Sequence, residues 1–113
     1  MTRMAEGSLD LALLITEPSA KSIEVARRAA QILVERKVAP MLVVANKVRD
    51  AEDVEMIRQA LGVGEIFAVP DDEAVLRADR DGLSAYDTAP NSRAVLAVGE
   101  LARTLTARFT VAP

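Results

Sequence analysis

Three apolar runs of strand length recur along the chain, each followed by a stretch whose apolar residues fall at helical spacing, and this alternation leaves few folds open. The first run, LDLALLIT over residues 9–16, is nearly continuous in hydrophobicity, as expected of a parallel strand covered on both faces. Glu17-Pro18-Ser19 ends it. Ile23, Ala26, Ala30 and Leu33 then mark the inner stripe of a helix expected over 21–36, with Lys21, Arg27, Arg28, Gln31 and Glu35 falling elsewhere. After Pro40, MLVVA (41–45) reads as a second strand, expected over 40–46 and ending in the polar pair Asn46-Lys47.

The pattern repeats downstream. Asp50 is placed to cap a helix over 51–61 with Asp53 three residues on; Val54, Ile57 and Leu61 give its stripe, and Gly62 supplies a left-handed stop. EIFAV (65–69) is a third, short strand closed by Pro70, and Asp71-Asp72 opens a brief helix reaching about Asp79. Residues 82–89 read as a loop. Pro90-Asn91-Ser92 opens a last helix, expected over 91–108, whose stripe is Ala94, Val98, Leu101 and Leu105. The order implies a three-layer α/β fold, a parallel sheet of about three strands with flanking helices joined by right-handed crossovers. Three strands are few for such a sheet. One edge is expected to carry unpaired backbone groups and exposed apolar surface unless another chain or a second copy covers it, so residues 1–113 are read as a single partial domain.

Composition removes several functions. The net charge of −3 provides no basic field for a phosphate backbone, and the three aromatics, Phe67, Tyr86 and Phe109, offer no base-stacking platform; nucleic acid is not expected as a partner. With no Cys and no His, thiolate and imidazole ligands and His-activated nucleophiles are absent, so Ser19 and Ser22 are read as helix-start residues. The apolar run at 11–15 follows Glu6 and Asp10 and has no charged leader before it; a cytoplasmic protein without membrane association is expected.

In open parallel sheets ligands bind beyond the carboxyl ends of the strands. Here those ends are Thr16-Glu17-Pro18-Ser19, Asn46-Lys47 and Pro70-Asp71-Asp72. An Asn there can offer a donor and an acceptor to the edge of a purine, and the stem of the following Lys can lie over the base or brace the loop. The plainer reading makes Asn46 a turn residue and Lys47 a solvated one. The acidic run at 71–73 is explained by the preference for carboxylates at a helix start rather than by a metal site. A receiver-domain pocket is excluded by order, because it needs its acidic pair at the first strand end and its lysine at the last. Asp79-Arg80-Asp81 reads as a solvated turn.

Four segments in sequence, TEPS (16–19), V-A-N-K (44–47), Pro70-Asp71 and A-D-R-D-G (78–82), resemble the C-terminal half of the MinD/ParA-type P-loop ATPases. The likeness is greatest to the branch of carbon monoxide dehydrogenase nickel-insertion ATPases (CooC-like). The resemblance implies ATP as ligand, with Asn46 at the adenine, Lys47 beside it, and the loop carrying Pro70 and Asp71 closing over the base. It implies a P-loop half or a homodimer partner, and a metalloenzyme client. The chain departs from the family at the catalytic apparatus: none of its five glycines is followed by Lys, so no GxxxxGK[ST] phosphate loop exists, and the Mg²⁺ ligands and Cys-x-Cys pair of that branch are missing as well. The expected function is therefore a base-recognising and dimer-forming portion that is inactive without its P-loop half. The alternative is a free-standing flavodoxin-like interaction module without nucleotide binding. Purified chain incubated with Mg·ATP is expected to release no phosphate above background, because nothing in it cradles the γ-phosphate; turnover that vanishes in a point variant of this chain would contradict that.

Overall fold

The computed structural model describes residues 11–37 and 40–109. Within them β1 (Ala12–Thr16), α1 (Ala20–Glu35), β2 (Met41–Val48), α2 (Ala51–Leu61), β3 (Ile66–Pro70), α3 (Glu73–Arg80), α4 (Ala85–Thr88) and α5 (Arg93–Phe109) follow in order. The sheet runs β1-β2-β3 and both pairings are parallel. The three-layer α/β fold read from the alternation is the one observed. Leu9 and Asp10 of the expected first strand lie outside the described residues.

Local chemistry explains where the elements begin and stop. Ser19, extended at φ −134°, caps α1 by accepting from the Ser22 amide at 3.3 Å. Asp50 caps α2 by accepting from the Asp53 amide at 3.1 Å, while the Asp53 carboxylate accepts from the Arg49 amide at 2.8 Å, a reciprocal arrangement close to a capping box. Gly62 ends α2 at φ 65°, a conformation that costs other residues a Cβ clash, and its amide reaches the Arg58 carbonyl at 2.9 Å. α3 closes with a Schellman pattern, the Gly82 amide on Asp79 and the Leu83 amide on Ala78. The expected loop at 82–89 contains α4 instead. One turn, built on the amides of Asp87 and Thr88 donating to the Ser84 carbonyl, is too short to leave a periodicity in the sequence.

Two apolar clusters, one on each face of the sheet, hold the layers together. Ile23 of α1 and Ile57 of α2 pack on Val43, Ala45 and Val48 of β2, with Leu14, Val54 and Leu61 around them. On the opposite face Ala94 and Leu101 of α5 pack on Leu42, Val44 and Val69, with Leu11, Phe67, Val75, Ala97 and Leu105 beside them. The bidentate Arg108–Glu65 ion pair ties the far end of α5 to the entry of β3. In the stripe of the last helix Val98 is replaced by Ala97: Val98 is 52% exposed.

β1 departs from the expectation of burial on both faces. Leu14 and Thr16 turn towards α1, but Leu13 and Ile15, level with Leu42 and Val44 on the α5 face, are 42% and 61% exposed. Two helices cover one face and a single long helix the other; α5 reaches β3 and β2 but leaves β1 bare. Among the described residues no helix is long and apolar enough to cross a membrane.

Ile57 has no exposed surface and belongs to the cluster that joins α1 and α2 to β2, so Ile57→Ala should lower the unfolding free energy by about 2–5 kcal/mol, read from the midpoint of denaturant unfolding.

Candidate functional site at the strand ends

The three strand ends converge. A cleft of about 460 Å³ is lined by Asn46, Lys47, Pro70, Asp71, Asp72, Val75, Leu76, Asp79 and Ala94. Next to it a shallower hollow of about 220 Å³ is bounded by Glu17, Pro18, Ser19, Lys47, Arg49 and Asp71, so Lys47 and Asp71 face both. All four residues singled out from the sequence, Asn46, Lys47, Pro70 and Asp71, therefore lie around one opening. The turn after β1 is held by its own side chains: Ser22 Oγ accepts from the Glu17 amide at 2.9 Å and shares a hydrogen bond with buried Thr16 Oγ1 at 3.0 Å.

The backbone at Asn46 and Lys47 is irregular in a way the sequence did not announce. β2 and β3 stay in register up to Asn46 opposite Val69; the next pair is Val48 opposite Pro70, leaving Lys47 as an extra residue. Lys47 sits at φ 61°, the left-handed region that a side chain with a Cβ normally avoids. Such a bulge bends the strand and re-aims its side chains, and bulges gather next to binding sites. Two contacts sustain it. Asn46 Oδ1 accepts from the Lys47 amide at 3.0 Å, and the Asp71 amide donates to the Val48 carbonyl at 2.8 Å. Lys47 Nζ lies 3.7 Å from Glu17 Oε1, an exposed pair that links the first two strand ends. With Oδ1 engaged, the Nδ2 group of Asn46 remains as a donor that has no partner among the described residues.

Asp72 is the helix-start carboxylate that its position implies, and it starts two helices. Its Oδ1 accepts from the Ala74 amide at 2.9 Å, capping α3, and its Oδ2 accepts from the Ala94 amide at 2.9 Å, at the first turn of α5. Arg93 adds a hydrogen bond from Nη2 to the Asp71 carbonyl at 3.3 Å. Loop 70–72 is thereby fixed from both sides. The Ala94 amide first, and then the Ala74 amide and the nearby Arg93, hold the Asp72 carboxyl below its ordinary range and outweigh the opposing effect of burial. No sequence signal marks the second cap, because its partners are separated by 22 residues.

Electrostatically the cleft is acidic. Its lining carries the carboxylates of Asp71, Asp72 and Asp79 against the single ammonium of Lys47, beside the apolar surfaces of Pro70, Val75, Leu76 and Ala94. Among the described residues no group of three or more carboxylates converges as a metal site requires.

The arrangement is that of a MinD-like fold: the chain superposes on the MinD cell division protein of Aquifex aeolicus with a TM-score of 0.71 and 23% identity, over 94% of this chain and 47% of that one. In sequence it is 28% identical over 87 residues to the carbon monoxide dehydrogenase accessory protein CooC of Rhodospirillum rubrum, an alignment covering 76% of this chain and 33% of that protein. No protein-family model matches the chain. The resemblance to MinD/ParA-type proteins with a CooC-like sequence thus appears in both fold and sequence, and the chain spans about a third of the curated relative and about half of the solved structure.

The Asp72 carboxyl is depressed from its ordinary value of 3.8, so its contribution to stability is complete above that pH and is lost as the pH falls below it towards the folded-state value. Unfolding free energy measured from neutral pH downwards should therefore drop more steeply below pH 3.8 in the native chain than in Asp72→Asn, which carries no titrating group there.

Proposed function

We propose that this chain is the base-recognising, dimer-forming portion of an ATP-binding protein of the MinD/ParA type, a partial domain that acts with a phosphate-binding half carrying the glycine-rich loop. The observation that carries the reading is the cleft itself. It joins the free Nδ2 donor of Asn46 to an apolar wall of Pro70, Val75 and Leu76, which suits a flat, uncharged heterocycle. It repels the rest of a nucleotide. Three carboxylates against one ammonium are a poor environment for phosphate, so the triphosphate and its Mg²⁺ belong to residues outside this set, and the chain alone is inactive as an ATPase.

In this reading Asn46 donates to the base edge, the stem of Lys47 borders the base, and the backbone at Pro70 and Asp71 closes over it. The similarity to CooC, whose name ties it to carbon monoxide dehydrogenase, supports a cytoplasmic metallochaperone role in nickel insertion, with a metalloenzyme as client.

An NMR titration with AMP, ATP and tripolyphosphate separates base from phosphate recognition. With the phosphate-binding half present, AMP and ATP are expected to shift the amides of Lys47, Asp71 and Asp72 alike, tripolyphosphate to leave them in place, and Asn46→Ala to weaken nucleotide binding by about 1–3 kcal/mol, the cost of leaving a polar group unpaired. A response to tripolyphosphate but not to AMP, or none to either nucleotide, would return Asn46 to an ordinary turn residue and favour the free-standing interaction module.

A further inference from the structure

We propose that Asp79 is a second base-recognising residue, whose carboxylate accepts a hydrogen bond from the exocyclic amino group of the base while Asn46 donates to a ring nitrogen beside it. The proposal rests on the base-binding reading of the cleft and adds to it the contact that selects an amino-bearing base. Asp72, Val75, Leu76 and Asp79 all line the cleft, and their spacing of three and four residues puts them on one face of α3. Val75 and Leu76 are the apolar wall. Asp79 stands one turn, about 5 Å, further along that face, at the rim of the surface against which a flat ring would lie.

The three carboxylates of the cleft differ in what they are free to do. Asp72 has both oxygens engaged by the Ala74 and Ala94 amides. Asp71 borders the neighbouring hollow as well, together with Lys47 and Arg49. Asp79 borders the cleft and not that hollow, and its carboxylate has no hydrogen bond or ion pair among the described residues.

Its position is also one that helix physics disfavours. Asp79 is the last residue but one of α3, in the turn where the aligned peptide dipoles present their negative end and a cation is preferred. A carboxylate placed against its local preference, with no partner among the described residues to offset the cost, marks a group kept for a ligand. Asn46 supplies the complementary half. Because its Oδ1 is held by the Lys47 amide, it presents only the Nδ2 donor. The lining thus offers a donor and an acceptor around an apolar wall, and a base that satisfies both carries an acceptor nitrogen next to an amino group, as adenine does. A purine without the amino group leaves the Asp79 carboxylate unpaired against the base.

Titrating the chain, with the phosphate-binding half present, with AMP and with purine riboside 5′-monophosphate, which is AMP without its amino group, isolates this contact. The native chain should bind AMP about tenfold more tightly, the effect of one hydrogen bond to a charged group. Asp79→Ala should lower AMP binding to the level of the analogue and leave the affinity for the analogue unchanged, and Asp79→Asn, which keeps an acceptor oxygen, should restore most of the preference for AMP. Denaturant unfolding of the chain alone supplies a measurement that needs no nucleotide: the midpoint of Asp79→Ala should equal or exceed the native one, since the substitution removes a carboxylate from the disfavoured end of a helix. Equal binding of the two nucleotides by the native chain, a loss in Asp79→Ala that is the same for both, or a lowered unfolding midpoint would overturn the proposal while leaving base recognition at Asn46 in place. Binding of neither nucleotide would remove both.

Discussion

One carboxylate joins two helix starts and the loop that walls the cleft, across 22 residues of chain. Asp72 lies just beyond β3 and receives an amide from the start of α3 and another from the start of α5. Without it the orphan N–H groups at both helix starts would need other partners, and the loop that walls the cleft would lose its shape on two sides at once. The seat of α5 on β2 and β3 depends on the same contact, since Ala94 is both the donor to Asp72 and a member of the apolar cluster under that helix. The cleft and one outer layer thus share a fastening point.

The outer layers do not match. α1 and α2 together cover one face of a three-stranded sheet, whereas on the other face α5 covers two strands and stops. A helix is roughly 10 Å across and strands lie about 4.8 Å apart, so one helix spans about two strands. The bare strand on that face is β1. A complete α/β layer needs a neighbour there, which agrees with a likeness to MinD that takes in only 47% of that protein.

What was legible in the sequence was local. The Asp50 cap, the Gly62 stop and the inner stripe of Ile23, Ala26 and Ala30 each rest on residues within a few positions of one another, and the structure has them where the spacing puts them. The convergence of Asn46 with Pro70 and Asp71 was also legible, because parallel strands bring their carboxyl ends to one side of the sheet. What was not legible depends on pairing. The extra residue at Lys47 exists only relative to β3, the second role of Asp72 only relative to α5, and the exposure of Leu13 and Ile15 only because no helix lies over them. Hydrophobicity along β1 reports what the strand is built to bury, and says nothing about whether this chain supplies the cover.

The bulge at Lys47 shows how such a non-local feature shapes the site. A regular strand would have carried the β2–β3 ladder on past Asn46 and turned successive side chains to opposite faces. The inserted left-handed residue breaks that alternation where β2 leaves the sheet, and the amide it frees is taken by Asn46 Oδ1. This hydrogen bond does two things. It offsets part of the strain of placing a side chain with a Cβ at positive φ, and it fixes which end of the Asn46 amide remains available. The group left over is a donor, beside apolar walls and carboxylates that reject anions. A ligand matched to that arrangement presents an acceptor on a flat, uncharged edge, and any anionic portion of it lies away from the carboxylates of the cleft.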